Sequence, residues 1–433
     1  MGDKRTDIDI IYGINDSPEL TRAIPLAFQH ILAMFAGNIT IPLLLASLLN
    51  LPPSETAFLI QCSLFVAGIA TFIQIVKFKG IGSGLPIVMG TSNAFVSTVL
   101  AIGKDFGIEG VLGASFIGGI FEVFLGKNLN RLKKIFTPLV SGIVVLTIGI
   151  TLIPVGIRQA AGGSGNMGDL KSILIASIVL LAIIVFNQSS NKFFRSSSIL
   201  LGIVVGYFVS YFFGILDLSP ILDASWFSIP KPFAYKWTFN PTAIIAMLFM
   251  YLATAIETIG DISAITIGAE GREATDEEMS GGVIADGLGS AFAALFNAFP
   301  NTSYTQNIGV ISLTGVFSTS IVKIGAVILL VLSLFPKFAS LIAVIPEPVL
   351  GGASIAMFSI ITVSGLSLLR EVKLDSRNSL IIAIAVGLGV GLNLVTEAVQ
   401  LMPHSLQLFL TSGVGPSAIV AIVMDQLLPN RQD

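Results

Sequence analysis

Long apolar runs follow one another through almost the whole chain, and that leaves only one kind of solvent in which it can fold. The runs fall at roughly Ile24–Leu49, Ala57–Val76, Leu85–Ile102, Ile108–Gly126, Phe136–Val155, Ser172–Phe186 and Ser198–Leu216. A second series follows at Ala243–Ile267, Gly281–Phe299, Ser303–Gly315, Val316–Phe335, Phe338–Leu369, Leu380–Leu394 and Leu406–Leu428. Hydrocarbon offers backbone N–H and C=O groups no water, so such segments cross it as helices that pair their own backbone. Charged residues make up 11% of the chain, against about a quarter in soluble domains. An all-α polytopic membrane protein with about fourteen spans is expected.

The stretch Asp217–Asn240, with Pro220, Pro230, Pro232, Trp226 and Trp237, separates the two series and reads as a loop carrying interfacial aromatics. Seven spans on each side would place the halves 1–216 and 241–433 in opposite orientations, as inverted repeats around an outer loop at 217–240. Charge agrees with that count. With a cytoplasmic N-terminus, most of the 23 basic residues, among them Lys127, Arg131, Lys133, Lys134, Arg370, Lys373 and Arg377, fall on the cytoplasmic side. Lys104, Arg158, Lys171, Lys231, Lys236 and Lys337 fall outside, so both termini are expected in the cytoplasm. The acidic stretch Met1–Glu19 does not read as a signal peptide, and the first span would direct insertion. Cys62 is the single cysteine, and His30 and His404 are the two histidines, which excludes disulfide frameworks and Cys- or His-based metal centres. Neither a cofactor nor a metal is expected.

Both halves are interrupted at the third segment. Leu85–Ile102 contains Pro86, Gly90, Thr91, Ser92 and Asn93, while Ser303–Gly315 contains Tyr304, Thr305, Gln306, Asn307 and Gly309. Short, Gly- or Pro-interrupted segments at matching places in two repeats point to a binding site, because unwound backbone frees polar groups for a ligand. The plainer alternative is a kink in an ordinary span. Amides accompany the small residues in both breaks, and that favours the site.

Intramembrane acids sharpen the expectation. Glu257 and Asp261 lie four residues apart on one helical face, and their segment has no basic residue to neutralise them. At least one is therefore expected to hold a proton or face a cation, giving a proton- or sodium-coupled site. A wet vestibule would also accommodate them, Asp261 more easily than Glu257. Asp286 is embedded and could equally cap a helix. Glu122, Glu397 and Asp425 lie toward segment ends, where solvent or a loop lysine suffices, and are assigned no function. His30, after Gln29, reads as a buried imidazole satisfied by a hydroxyl or amide rather than as a proton carrier.

The run Gln306-Asn307-Ile308-Gly309-Val310-Ile311-Ser312-Leu313-Thr314-Gly315 resembles the signature motif of the nucleobase-ascorbate transporter (nucleobase-cation symporter) family. Gln29-His30, the Glu257/Asp261 pair, Asp286-Gly287 and Ile345-Pro346-Glu347-Pro348-Val349-Leu350-Gly351-Gly352 match in order along nearly the whole chain. The resemblance implies two inverted repeats divided into a core (24–127 and 241–335) and a gate (135–216 and 338–428), with short antiparallel strands in the third and tenth spans. It implies a substrate site of Glu257, Gln306, Asn93, Thr305, Gly37 and Ser92, with Glu257, Asp261 and Asp286 tied to cation coupling. Gln29, His30, Asn307 and Thr314 would be structural polar residues. Many relatives carry an aromatic residue where Asn93 stands.

A Gln side chain offers a donor and an acceptor side by side, which complements the adjacent C=O and N–H groups of an oxidised purine. Relatives with Gln at the Gln306 position tend toward xanthine and urate, those with Glu toward uracil, so a purine dione is the first expectation and uracil the alternative. An anion exchanger would present basic residues, and an enzyme a nucleophile, base or metal set; the central spans supply neither. Expected partners are a nucleobase, a co-transported proton or sodium ion, membrane lipid and a second copy in a homodimer, in the plasma (inner) membrane, with no nucleic acid.

Overall fold

The computed structural model describes residues 10–129, 137–163, 167–370 and 372–429. The expected cytoplasmic ends of the chain, and Arg131, Lys133 and Lys134, lie outside them.

Helices begin where their free N–H groups find acceptors or where proline removes one. In the first half, α1 (Leu20–Leu48) and α2 (Pro53–Ile75) precede strand β1 (Met89–Thr91) and α3 (Val96–Lys127). Next come α4 (Pro138–Ala160) and α5 (Leu170–Asn187), whose first turns are capped by Thr137 and Asp169. The short α6 (Lys192–Ser196), α7 (Ser198–Phe212) and α8 (Ser219–Asp223) complete it. The second half opens with α9 (Pro241–Glu270), capped by Asn240 and ended by Gly271 at φ 64°. Its successor α10 (Asp276–Leu295) starts at a capping box between Thr275 and Glu278. Strand β2 (Asn301–Ser303) and α11 (Thr305–Thr314) follow, then α12 (Thr319–Ser333), α13 (Pro336–Ala343), α14 (Glu347–Arg370), α15 (Ser376–Leu394), α16 (His404–Thr411) and α17 (Val414–Leu427). Thus two long helices lead into a strand and a further helix in each half.

The spans are less uniform than expected. Among the described residues eight helices are long and apolar enough to cross a membrane, or up to ten if each of two sharply bent pairs counts as one. Phe338–Leu369 is not one span, because the chain is cut before Pro346 into α13 and α14. Leu406–Leu428 bends by 81° between α16 and α17, where Gly413 takes φ 77°. Leu85–Ile102 is a strand and a helix start, and α3 runs on through the expected fourth segment with a break at Gly107 (φ 68°).

Glycines set how closely the helices approach. Where α14 lies along α4, a methyl added at Gly365 would come within 2.3 Å of the Leu146 nitrogen, and one at Gly149 within 2.4 Å of the Thr362 nitrogen. Between α3 and α10 the fit is mutual: a methyl at Gly119 would meet the Gly287 oxygen at 2.6 Å, and one at Gly287 the Gly119 oxygen at 2.5 Å. In lipid, where apolar side chains gain little by leaving solvent, such backbone contact is what holds helices together. Gly119→Val is therefore expected to cost at least about 1–3 kcal/mol, read as a lower unfolding temperature in detergent. Gly387→Ala, in α15 with open space around it, should be neutral or slightly stabilising in the same assay.

Candidate functional site

The two interrupted segments meet. β1 and β2 pair antiparallel, Met89 opposite Ser303, Gly90 opposite Thr302 and Thr91 opposite Asn301. Two strands of three residues do not hold alone, and side chains from neighbouring helices stitch them in place. Asn38 Oδ1 accepts the Thr91 N–H at 2.8 Å, and the Tyr304 hydroxyl donates to the Thr91 carbonyl at 2.5 Å. Asn307 Nδ2 donates to the Pro86 carbonyl at 2.6 Å, while Asn307 Oδ1 lies 2.5 Å from His30 Nδ1. The Tyr304 ring fills the space beside Gly37 and Gly90, where an added methyl would lie 2.7 and 2.9 Å from it. Each break thus reaches across into the other.

A cleft of about 20 Å³ opens at this junction, lined by Ser92 and Asn93 from the first break and by Thr302 to Gln306 from the second. Glu257 of α9, Ile148 of α4 and Ile361 of α14 also line it. Neither the turn starting at Asn93 nor α11 has a side-chain cap, so free N–H groups at two helix starts are available to a ligand's acceptors. Thr305, Gln306 and Asp261 carry the lining onward into a vestibule of about 460 Å³, which runs along Gly309 and Ser312 to Arg195 and Asn187 at its mouth.

The model of the Permease family, Xan_ur_permease, matches residues 21–398. The chain belongs to this permease family. It is 35% identical to the xanthine permease XanP of Escherichia coli (strain K12), over 97% of this chain and 95% of that one. It is 34% identical to the uric acid permease PucK of Bacillus subtilis (strain 168), over 94% of this chain and 95% of that one. The transmembrane domain of the cyanobacterium bicarbonate transporter BicA shares the fold, with a TM-score of 0.57 at 17% identity, covering 95% of this chain and 99% of that one. The chain is accordingly a multi-pass membrane permease and not an enzyme.

Within the permease, the expected site residues separate into three groups. Glu257, Gln306, Asn93, Thr305 and Ser92 line the cleft together. Gly37 stands behind Tyr304 and Asn93, off the cleft wall. Gln29, His30, Asn307 and Thr314 lie in the surrounding scaffold; Thr314 ends α11 by donating to the Val310 carbonyl at 2.7 Å.

The acids differ in their surroundings. Glu257 is buried, with Oε2 unpartnered. Asp261 accepts from the Ser303 and Thr305 hydroxyls, both at 2.8 Å. Asp286 does not cap a helix, because it sits midway along α10, fully buried, and accepts from Thr258 and, at 3.1 Å, from Thr302. Glu122 is likewise not a solvated end residue. It is fully buried between α3 and α9 and takes a hydrogen bond from Thr254 rather than from a loop lysine. Asp425 does sit at a helix end, paired with Arg377 at 3.0 Å.

Asn38 and the hydroxyls of Thr258, Thr302 and Ser303 escaped the sequence reading. Tyr304 was visible as part of the broken segment, but nothing in its neighbours showed that its ring reaches back to Gly37. The Thr258 hydroxyl follows Glu257 directly, so only its helical phase distinguished the two. Asn307→Ala should cost about 1–3 kcal/mol, since His30 Nδ1 and the Pro86 carbonyl lose a buried partner. A fall in unfolding temperature larger than that of a surface Asn→Ala change would register it.

Proposed function

We propose that this permease imports an oxidised purine, xanthine or urate, with a proton or sodium ion as the co-transported cation. The observation that carries the reading is the placement of the Glu257 carboxyl and the Gln306 amide on one cleft, beside two uncapped helix starts. The amide supplies a donor and an acceptor side by side, and the carboxyl and the free N–H groups supply further acceptors and donors, which suits the alternating N–H and C=O edge of a purine dione. The names of the related xanthine and uric acid permeases point the same way. An anion exchanger on the same fold would want a cation in the cleft; among the described residues Arg195 lines only the vestibule mouth.

The dimensions suggest how cargo moves. A cleft of about 20 Å³ has room for about one water, whereas the vestibule beside it holds about 460 Å³. A base can settle between Glu257 and Gln306 only if Ile148 and Ile361, on α4 and α14, move away from the strand pair. We read α4 to α7 and α13 to α17 as a gate against which α1 to α3 and α9 to α12, a core carrying the cleft, slide as a body. The vestibule would face the cytoplasm of a cell whose plasma membrane holds the protein with both termini inside, Arg195 lying at the basic end. Exposed apolar side chains such as Phe208 and Phe212 suit lipid or a second copy in a homodimer.

Gln306→Glu replaces the amide donor by an acceptor beside Glu257 and should move preference from xanthine toward uracil or abolish uptake. Competition of unlabelled bases against radiolabelled xanthine measures it, and unchanged xanthine affinity would remove Gln306 from the site. Glu257→Gln keeps the size but cannot exchange a proton, so a well-expressed variant should lose accumulation. Sliding is tested at Ser47 and Glu347, whose side chains touch at 2.5 Å between α1 and α14. Cysteines at both positions, joined by a short thiol cross-linker, should stop uptake until the link is cleaved; transport at the normal rate in the linked protein would exclude the movement.

A further inference from the structure

Among the described residues Glu122 is a buried acid that neither the cleft nor the vestibule uses. It is fully enclosed, with Oε1 accepting from Thr254 of α9 at 3.2 Å and Oε2 without a partner. Asp286 repeats the pattern on α10, its Oδ2 held by Thr258 and Thr302 and its Oδ1 unpartnered. The backbone contact of Gly119 with Gly287 brings their two helices together, with Glu122 three residues past Gly119 and Asp286 immediately before Gly287. Thr254 and Thr258 are likewise one turn apart on α9, and each holds one of the two carboxyls.

Asp286 from α10, and Glu257 and Tyr251 from α9, are the titratable groups close enough to interact with Glu122 through charge, and no Lys, Arg or His is among them within the described residues. His404 of α16 meets α3 at Asp105 and Phe106, near the break at Gly107. Two carboxylates buried without a counter-ion are too costly to be ionised together. One negative charge shared by the pair is sustainable, because three threonine hydroxyls are aimed at it.

We propose that Glu122 and Asp286 form a two-carboxyl proton store for transport, neutral when filled and sharing one proton when emptied. The proposal rests on the cation-symport reading and commits its cation to a proton. The exit path is the hydrogen-bonded series from Asp286 through Thr258 and Ser303 to Asp261 on the vestibule, with Ser303 3.4 Å from Thr258 and 2.8 Å from Asp261. On release the Thr258 hydroxyl, which donates to Asp286 at rest, turns to accept from the protonated Asp286 and to donate to Ser303; one carboxyl O–H bond of the pair breaks, each hydroxyl passes on one proton and takes one, and an O–H bond forms on the Asp261 carboxylate. No other bond changes, and Glu122 acts only through Asp286.

Infrared difference spectra of the purified permease between acid and alkaline pH follow protonated carboxyls directly. The wild type should show a titrating carboxyl band that Glu122→Gln lacks, and Glu122→Gln in proteoliposomes should accumulate radiolabelled xanthine at least about tenfold less under an imposed pH gradient. Xanthine binding to the purified variant reports that it is folded. A Glu122→Gln protein with the wild-type spectrum, or with wild-type accumulation, overturns the store and leaves Glu122 a fixed structural group. Should Glu122→Gln not fold, Thr254→Val decides, because loss of its hydrogen bond must shift the pH at which the band titrates and an unshifted band overturns the proposal. Failure of the wild type to accumulate xanthine under the gradient would count against symport, whereas the band by itself judges the store.

Discussion

The structure depends on a backbone problem solved in a medium without water. Interrupting two helices inside hydrocarbon exposes N–H and C=O groups whose loss of water costs several kcal/mol each, and here the two interruptions satisfy one another. Three residues of β1 pair with three of β2, and Asn38, Asn307 and Tyr304 take up groups at the margins. What remains open, the helix starts at Asn93 and Thr305, faces the cleft. Binding capacity is therefore what is left over after the scaffold has paired its own polar atoms.

The polar residues fall into layers around that junction. Nearest the cleft are Glu257 and Gln306. Behind them, serine and threonine hydroxyls hold Asp261 and Asp286, and farther back Thr254 holds Glu122. Most of these hydroxyls and acids stand on α9 and β2, so a shift of the strand pair relative to α9 would disturb several carboxyls together. Coupling cargo to a cation needs such a shared element, because a ligand biases an equilibrium only through contacts that differ between states.

Glycine does in this protein what large side chains do in a soluble core. At Gly119 and Gly287, and along Gly149 and Gly365, backbone touches backbone, and the helices are fixed in register by shape rather than by expulsion of water. The contact of Gly119 with Gly287 also brings together the helices that carry Glu122 and Asp286. Tyr304 performs the complementary task with bulk: its ring occupies the room left by Gly37 and Gly90 and its hydroxyl closes the Thr91 carbonyl.

Membrane class, the two broken segments and the candidates Glu257 and Gln306 were legible from the sequence alone, because lipid makes every polar residue within an apolar run conspicuous. That Gln306 shares a site with Ser92 and Asn93 was implied by the family resemblance and not by the pattern of residues itself. Span boundaries were less legible: Phe338–Leu369 carries an unbroken apolar signal, yet the backbone is cut before Pro346, and hydropathy does not report direction of travel. Only the tertiary structure decided which acids are solvated and which are enclosed. Glu122 looked like an end residue by its distance along the chain, and it is buried because α3 passes α9 and α10 at glycine contacts that the long stretch of sequence between them does not announce. Sequence position fixes depth along one helix, whereas burial is set by what crosses it.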